Sequence, residues 1–340
     1  MAHSSSNSGV STPGLLSPLV SPHTYLELRD ESPAPLRQTS DSILIRTLTA
    51  RDIAILTALD QYRYLDRKQI QHLFFHGPRP CQIRLRYLVT RQVLISWYVR
   101  LQPGLHPRPS VYLLSTRGAR LLARLTQVDQ GPSVRRAEHA RTRAYHVAHD
   151  LEANAFFVAL ARASAPLSDH GLYHWVGERG CWRAYQEAHE LGPIPDGWGR
   201  YLLSEGDVIF FLEWDRGTLP RARLRSKVNQ YVAYFRRRRG ASTTHVLYAV
   251  PSDAREELVR TEVRQSLRRV TGESCRFWTT TVERLQREGP LGRIWRSSEP
   301  DASLVRFVDL PPHPRSSLPI EGCIAKPEWW KHRPAGGQGV

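Results

Sequence analysis

The 340-residue chain is long enough for two ordinary domains with additional tails. Its composition, 41% hydrophobic and 24% charged, can build packed cores, and no apolar run reaches the roughly 18–20 residues of a membrane span. The chain starts with MAHSSSNSGV rather than a basic stretch followed by an apolar one, so we expect no secretory signal. The four cysteines form no CxxC pair, which argues against a disulfide scaffold or zinc ribbon and predicts a cytoplasmic protein.

Positive charge is concentrated in one part of the chain. The formal net charge is +16, and residues 46–145 alone hold 18 basic and 5 acidic side chains, a net charge of +13. A local excess of this size predicts a polyanionic partner, and we expect nucleic acid. The alternative is a charged surface that only keeps the protein soluble.

Composition and hydrophobic spacing divide the chain into five segments. They are a Ser- and Pro-rich disordered tail (1–45), a compact first domain (46–128), a basic linker or helix start (129–143), an α/β domain (144–298) and a Pro-rich tail (299–340).

The first domain, 46–128, shows the spacing of three helices followed by a hairpin. Thr49 and Asp66 are suited to cap the first two helices, and a third helix is predicted over 79–91. Two strands follow, at 94–101 and 111–114, joined by a loop rich in Pro, Gly and His. Three helices and a hairpin in this order predict a winged helix-turn-helix.

In a winged helix-turn-helix, the third helix would enter the major groove of DNA and the loop of the wing would contact phosphates. A buried stripe of Cys81, Leu85, Leu88 and Val89 would leave basic and amide side chains facing outward. Arg can bond guanine and Gln can bond adenine with two hydrogen bonds each. The predicted DNA-binding residues are Arg79, Gln82, Arg86 and Thr90 on the helix, and His106 and Arg108 in the wing. The alternative is a winged helix used for protein contact.

The second domain contains a predicted hairpin with acidic residues at its open end. A turn centred on Glu205-Gly206 would place Asp196 opposite Asp215 and Trp198 opposite Glu213. The strand 208–215 is apolar on both faces, so we expect a central strand that is covered on both sides. Converging carboxylates of Asp196, Glu213 and Asp215 would suit a hard cation, and we predict Mg²⁺, with Mn²⁺ as its substitute.

Lys227, one of only four lysines, lies at the edge of the apolar stripe of the next helix. It is either a lysine whose aliphatic stem packs on the stripe while its charge reaches water, or a partner of the acidic residues.

The chain resembles the replication-relaxation family of plasmid and mobile-element proteins over about residues 48–290. The residues that carry the resemblance are Leu48-Thr-Ala-Arg-Asp-Ile53, Arg84-Leu85, Tyr112-Leu-Leu-Ser-Thr-Arg-Gly-Ala119, His146-Val-Ala-His-Asp-Leu-Glu152 and Phe211-Leu-Glu-Trp-Asp-Arg-Gly-Thr218, followed by Lys227 and Tyr231. The resemblance implies DNA-linked work in replication, relaxation or transfer of such an element, as an accessory protein.

The second domain also resembles the restriction-endonuclease-like fold with its PD-(D/E)XK motif. Pro195-Asp196 stand for the PD, and Glu213-Trp214-Asp215 for the (D/E)XK, with Asp215 where the family has lysine. The resemblance implies that Glu152, Asp196 and Glu213 would hold metal, and that Lys227 would replace the missing lysine from the next helix. The predicted fold class is therefore α+β, a winged helix-turn-helix followed by an α/β restriction-endonuclease-like domain.

Three functions remain open at this point. The first is a DNA-binding accessory or regulatory protein, with double-stranded DNA and the element's replication or transfer proteins as partners and no membrane. The second is a Mg²⁺-dependent DNA endonuclease whose catalytic residues are Asp196, Glu213, Asp215 and Lys227. The third is a protein-interaction module, in which the acidic residues pair with neighbouring arginines such as Arg216.

Overall fold

The computed structural model describes residues 27–30, 40–100, 110–142, 147–167, 170–237, 244–268 and 275–313. These residues form two compact units of a mixed α/β protein. The N-terminal unit comprises the described residues of 20–158 and 176–188, and the C-terminal unit comprises those of 159–175 and 189–319. Among the described residues, no helix combines the length and the apolar composition that crossing a membrane requires.

The N-terminal unit contains a four-stranded antiparallel sheet in the order β1-β3-β4-β2. Its elements are β1 (Glu27–Asp30), α1 (Asp41–Thr47), α2 (Ala50–Tyr62), β2 (Leu65–Asp66), α3 (Arg67–Phe74), α4 (Pro78–Thr90), β3 (Leu94–Arg100), β4 (Val111–Leu114), α5 (Thr116–Thr126) and α6 (Gln130–Thr142). The helix α7 (Val147–Ser164) begins in this unit, which also includes α8 (Glu178–Glu187).

The helix starts of the N-terminal unit follow the capping residues in the sequence. Thr49 and Asp52 form a capping box at α2, and Asp66 and Gln69 form another at α3. Both caps were predicted and are confirmed. Pro78 occupies the first turn of α4, where its missing N–H is not needed.

Part of the segment predicted as a disordered tail is structured. Residues Glu27–Asp30 form β1, which pairs with β3 along the edge of the sheet, and α1 begins at Asp41 with Ser40 as its N-cap. The disorder prediction is wrong for these residues because an edge strand offers backbone partners that composition cannot reveal. The segment 129–143 contains a regular helix, α6.

The C-terminal unit is built on a seven-stranded mixed sheet in the order β11-β10-β9-β8-β7-β6-β5. Its elements are β5 (Gly171–Gly177), β6 (Gly197–Leu203), β7 (Gly206–Trp214), α9 (Arg221–Arg237), β8 (Thr244–Val250), α10 (Asp253–Leu267), β9 (Cys275–Thr281), α11 (Val282–Glu288), β10 (Arg293–Ser297), β11 (Leu304–Arg306) and a 3-10 helix (Phe307–Asp309). The strands β7, β8 and β9 run parallel, and β6 pairs antiparallel with β7.

Strand β7 is buried over its whole length, as predicted for a covered central strand. Phe211 contacts the rings of Tyr231 and Phe235 on α9, with ring centroids 5.8 Å apart in both pairs. Its neighbour Phe210 packs edge-on against Phe307. Because successive side chains of a strand point to opposite faces, α9 covers one side of β7 and the 3-10 helix covers the other.

The predicted register of the β6–β7 hairpin is wrong by two residues. The turn consists of Ser204 and Glu205, so that Leu203 pairs with Gly206 and Trp198 pairs with Phe211 rather than with Glu213. Asp196 therefore reaches the level of Glu213 rather than that of Asp215. A slip of two residues keeps every side chain on its predicted face and changes only which residues are neighbours.

The structured C-terminal unit extends beyond the predicted boundary at residue 298. Strand β11 and the 3-10 helix lie within the segment assigned to the tail, and Phe307 is completely buried. His313 then exchanges backbone hydrogen bonds of 2.7 and 2.9 Å with Asp207 at the start of β7. The helix α8 was also not predicted.

Candidate functional site

The outward face of α4 carries three of the four helix residues predicted to bind DNA. Arg79, Gln82 and Arg86 are exposed, and the predicted stripe of Cys81, Leu85, Leu88 and Val89 is buried. Thr90 is only half-exposed, and its hydroxyl donates to the backbone carbonyl of Arg86 over 2.8 Å. The other two predicted residues, His106 and Arg108, lie outside the described residues.

A buried ion pair fixes α4 against α2. Asp52 is completely buried, and its carboxylate accepts a hydrogen bond of 2.7 Å from Nε of Arg84 and a second from the same guanidinium. The carboxylate also caps α2 through the backbone N–H of Thr49. Arg84 stacks on the ring of Tyr87, 4.5 Å from its centroid. Asp52 thus both starts α2 and sets the orientation of α4, a role that sequence reasoning missed.

An open groove of about 440 Å³ lies beside the first turn of α4. Its lining includes Arg51, whose guanidinium lies 5.0 Å from the centroid of the Phe75 ring, and Arg79. Ile83 also lines the groove and is 63% exposed. The outward face of α4 therefore combines positive charge with exposed apolar surface.

In the C-terminal unit, Glu213 lies at the end of β7 and is only 3% exposed. Lys227 on α9 forms an ion pair with Oε2 of Glu213, and the hydroxyl of Tyr231 donates to Oε1. Lys227 and Tyr231 are four residues apart, so they lie on the same face of α9. We call Asp196, Glu213, Lys227 and Tyr231 the Glu213 cluster.

Burial raises the pKa of Glu213 to about 7, although the Lys227 charge lowers it, and the nearby Asp196 carboxylate raises it further. Asp196 itself accepts a hydrogen bond of 2.6 Å from the backbone N–H of Trp214. The structure therefore brings Glu213 together with Asp196 and with Lys227, for which pairing with the acidic residues was one of the two alternatives left open. The contribution of Tyr231 was missed, although its spacing from Lys227 indicates a shared face.

The third predicted carboxylate of this strand end has other partners. Oδ2 of Asp215 accepts a hydrogen bond of 2.6 Å from Nε of Arg255 on α10, and Oδ1 accepts one of 2.8 Å from the backbone N–H of Gly217. Asp215 thus pairs with an arginine, Arg255, which lies on another element rather than next to it in the chain. The Asp215 carboxylate stabilises the loop between β7 and α9.

The carboxylates do not form an open set of metal ligands. Glu152 is buried on α7, in the stretch that belongs to the N-terminal unit. In the described parts of the chain, no group of three His, Cys, Asp or Glu side chains is placed to hold a metal ion. Each oxygen of Glu213 already has a partner, Lys227 or Tyr231, and a cation bound there would be repelled by the Lys227 charge. The arrangement does not fit Mg²⁺ as it stands, and no catalytic step through a metal follows from it.

A family model described as replication-relaxation matches residues 56–249, which is more than half of the chain. The chain belongs to the replication-relaxation family. The matched segment of this family member starts within α2 and ends within β8, so it includes α4 and the Glu213 cluster. In the same comparisons, neither a curated protein nor a solved structure matches the chain.

Proposed function

We propose that this replication-relaxation protein is a DNA-binding accessory or regulatory protein of a plasmid or other mobile element. In this proposal, α2, α3 and α4 with strands β2, β3 and β4 act as a winged helix-turn-helix, and α4 enters the major groove of double-stranded DNA. The protein would act in the cytoplasm with the element's replication or transfer proteins as partners.

The observation that carries the proposal is which side chains of α4 are buried or paired and which are exposed. Its apolar stripe is buried and Arg84 is held by Asp52, whereas Arg79, Gln82 and Arg86 are exposed and none of their side chains forms an ion pair with a described residue. Exposed arginines on a helix within a segment of net charge +13 are suited to phosphates and guanine edges.

Fluorescence anisotropy with a labelled duplex tests this proposal. The double variant Arg79→Ala and Arg86→Ala should weaken binding by about 1–3 kcal/mol for each arginine that bonds a base, and by less for one that contacts a phosphate. Arg120→Ala is the matched control, because it removes an exposed arginine from α5 in the same unit. Equal affinity of the double variant and the control variant would remove α4 as the DNA-binding helix.

A second candidate function is a Mg²⁺-dependent DNA endonuclease of the PD-(D/E)XK type, for which the Glu213 cluster would have to rearrange to admit the cation. The favouring observation is that Lys227 reaches Glu213 from α9 and that the Asp196 carboxylate also acts on Glu213, because two carboxylates and a lysine are the residue types that this chemistry uses. The pairing of Asp215 with Arg255 favours the third candidate instead, a protein-interaction module in which the acidic residues pair with arginines.

Incubation with supercoiled DNA in Mg²⁺, Mn²⁺ or EDTA separates these candidates. An endonuclease should nick the DNA with either metal and not with EDTA, and Glu213→Gln and Lys227→Ala should both abolish nicking. Intact DNA under all three conditions, together with no heat of metal binding in calorimetry, would rule out the endonuclease.

A further inference from the structure

A cluster of four arginines lies in the N-terminal unit, away from the residues assigned to α4. Arg63, Arg136 and Arg179 line one cleft together with Asp60, and Arg183 follows Arg179 one turn later on α8. Two of these charges are compensated: Arg63 binds Asp150 over 2.7 Å, and Nε of Arg136 binds Asp60 over 2.7 Å.

The arginines of α8 have no such direct partner, although the nearby charges of Asp60 and Glu187 act on Arg183. Neither Arg179 nor Arg183 forms an ion pair or side-chain hydrogen bond with the part of the chain that the structure describes. Burial lowers the pKa of Arg179 to about 10, and the charges of Arg63, Arg136 and Arg183 lower it further, with Asp60 opposing them. A guanidinium group without a directly bonded carboxylate keeps donors free for the oxygens of an anion from solution.

An exposed aromatic residue lies on the same face of α8. Trp182 is 48% exposed, and it lies three residues after Arg179 and directly before Arg183, so the three side chains lie within about 100° of one another around the helix. Alternation of cationic and aromatic side chains is typical of surfaces that bind single strands, where arginines contact the backbone and aromatic rings stack on bases.

The size of the cleft limits what can bind there. Its volume of about 10 Å³ is room for about one water molecule, so neither a nucleotide nor a base fits inside. A ligand must therefore lie along the outer face of α8 and reach the cleft only with phosphate oxygens. Stacking on Trp182 also requires a base that is not already stacked in a duplex.

We propose that this face of α8, with Arg63 and Arg136 beside it, binds single-stranded nucleic acid. Arg179 and Arg183 take backbone phosphates, and Trp182 stacks on a base between them. This site is separate from α4 and does not depend on duplex binding by that helix.

The test measures the affinity of the full chain for three labelled ligands: a 20-nucleotide oligothymidine, an abasic strand of equal length and a 20-base-pair duplex. Trp182→Ala should weaken oligothymidine binding by about 5- to 150-fold, the range for loss of one stacked base. It should leave the abasic strand and the duplex within twofold of wild type, and Trp182→Phe should retain most of the affinity.

Arg183→Gln should weaken binding of both single strands and should reduce the slope of log affinity against log salt by about 0.7. The control is Arg120→Gln, which removes an exposed charge elsewhere in the unit and should leave that slope unchanged. Both tested side chains are exposed, so the variants should fold, and circular dichroism verifies this.

Three results would overturn the proposal. In the first, wild-type protein binds the abasic strand as tightly as oligothymidine. In the second, Trp182→Ala loses oligothymidine and duplex affinity in the same proportion. In the third, Arg183→Gln behaves like Arg120→Gln. The double variant Arg79→Ala and Arg86→Ala should keep its affinity for oligothymidine, so a failure of the duplex proposal is distinguishable from a failure of this one.

Discussion

Glu213 should make the folded protein less stable as the pH rises, and Glu213→Gln should remove this dependence. The carboxyl has a pKa of about 7 in the folded protein, against an ordinary value of 4.5. The folded state therefore holds a proton that the unfolded chain has lost between these two values, and stability falls across that window. Complete ionisation of Glu213 costs the folded state about 3 kcal/mol relative to the unfolded chain.

Urea unfolding of the wild type and of Glu213→Gln at pH 5 and pH 8 measures this effect. From pH 5 to pH 8, the wild type should lose about 2 to 3 kcal/mol relative to the variant, whose amide stays neutral and whose single carbonyl oxygen can accept from Tyr231 or from Lys227. Comparison of the two proteins cancels other titrating groups, such as Asp150, whose pKa burial raises to about 6.

The matched control is Glu283→Gln on α11, because the Glu283 side chain is 81% exposed. It should show the same pH dependence as the wild type. A stability difference between wild type and Glu213→Gln that stays constant from pH 5 to pH 8 would refute the reasoning, because it would mean that Glu213 keeps its ordinary pKa when buried beside Lys227.

The remaining predictions concern DNA binding and packing. Duplex affinity should fall by orders of magnitude between about 50 and 200 mM salt, because several phosphate contacts release counterions. Anisotropy titrations measure this change, and an affinity that does not depend on salt would favour the protein-interaction function. Asp52→Ala should lower the free energy of unfolding by about 2 kcal/mol, because it removes the cap of α2 and the carboxylate partner of Arg84, which keeps only its hydrogen bond to the carbonyl of Thr47. Urea unfolding measures this loss, and a loss below about 1 kcal/mol would contradict the prediction. Gly199→Ala should lower the melting temperature, because the Cβ of the new alanine would lie 2.3 Å from the ring of Phe210. Calorimetry measures this change, and an unchanged melting temperature would mean that β6 can shift at no cost.

Local signals in the sequence predicted much of the N-terminal unit. The caps at Thr49 and Asp66 and the buried stripe of α4 depend on residues close together in the chain, and the structure confirms them. Strand β1 and the strand around residue 305 could not be predicted, because each is stabilised by pairing with strands that composition does not identify.

In the Glu213 cluster, too, contacts between distant parts of the chain could not be predicted from local signals. The sequence offered Lys227 as a partner of the acidic residues or as a lysine packed on the apolar stripe, and only the structure shows that it pairs with Glu213. The hairpin register could not be predicted, because it depends on which two residues occupy the turn, and a one-residue displacement of the turn centre moves every pair by two. The pairing of Asp215 with Arg255 joins residues 40 positions apart, a contact that no local pattern indicates.

Site-specific photo-crosslinking tests the central claim, duplex binding by α4, most directly. A photo-reactive amino acid replaces Gln82 on the outward face of α4 in one variant and Arg120 on α5 in another, and each full-length protein is irradiated with a labelled duplex. We expect a DNA adduct from position 82, which excess unlabelled duplex should abolish, and little or no adduct from position 120. Adducts from position 120 and none from position 82 would contradict it.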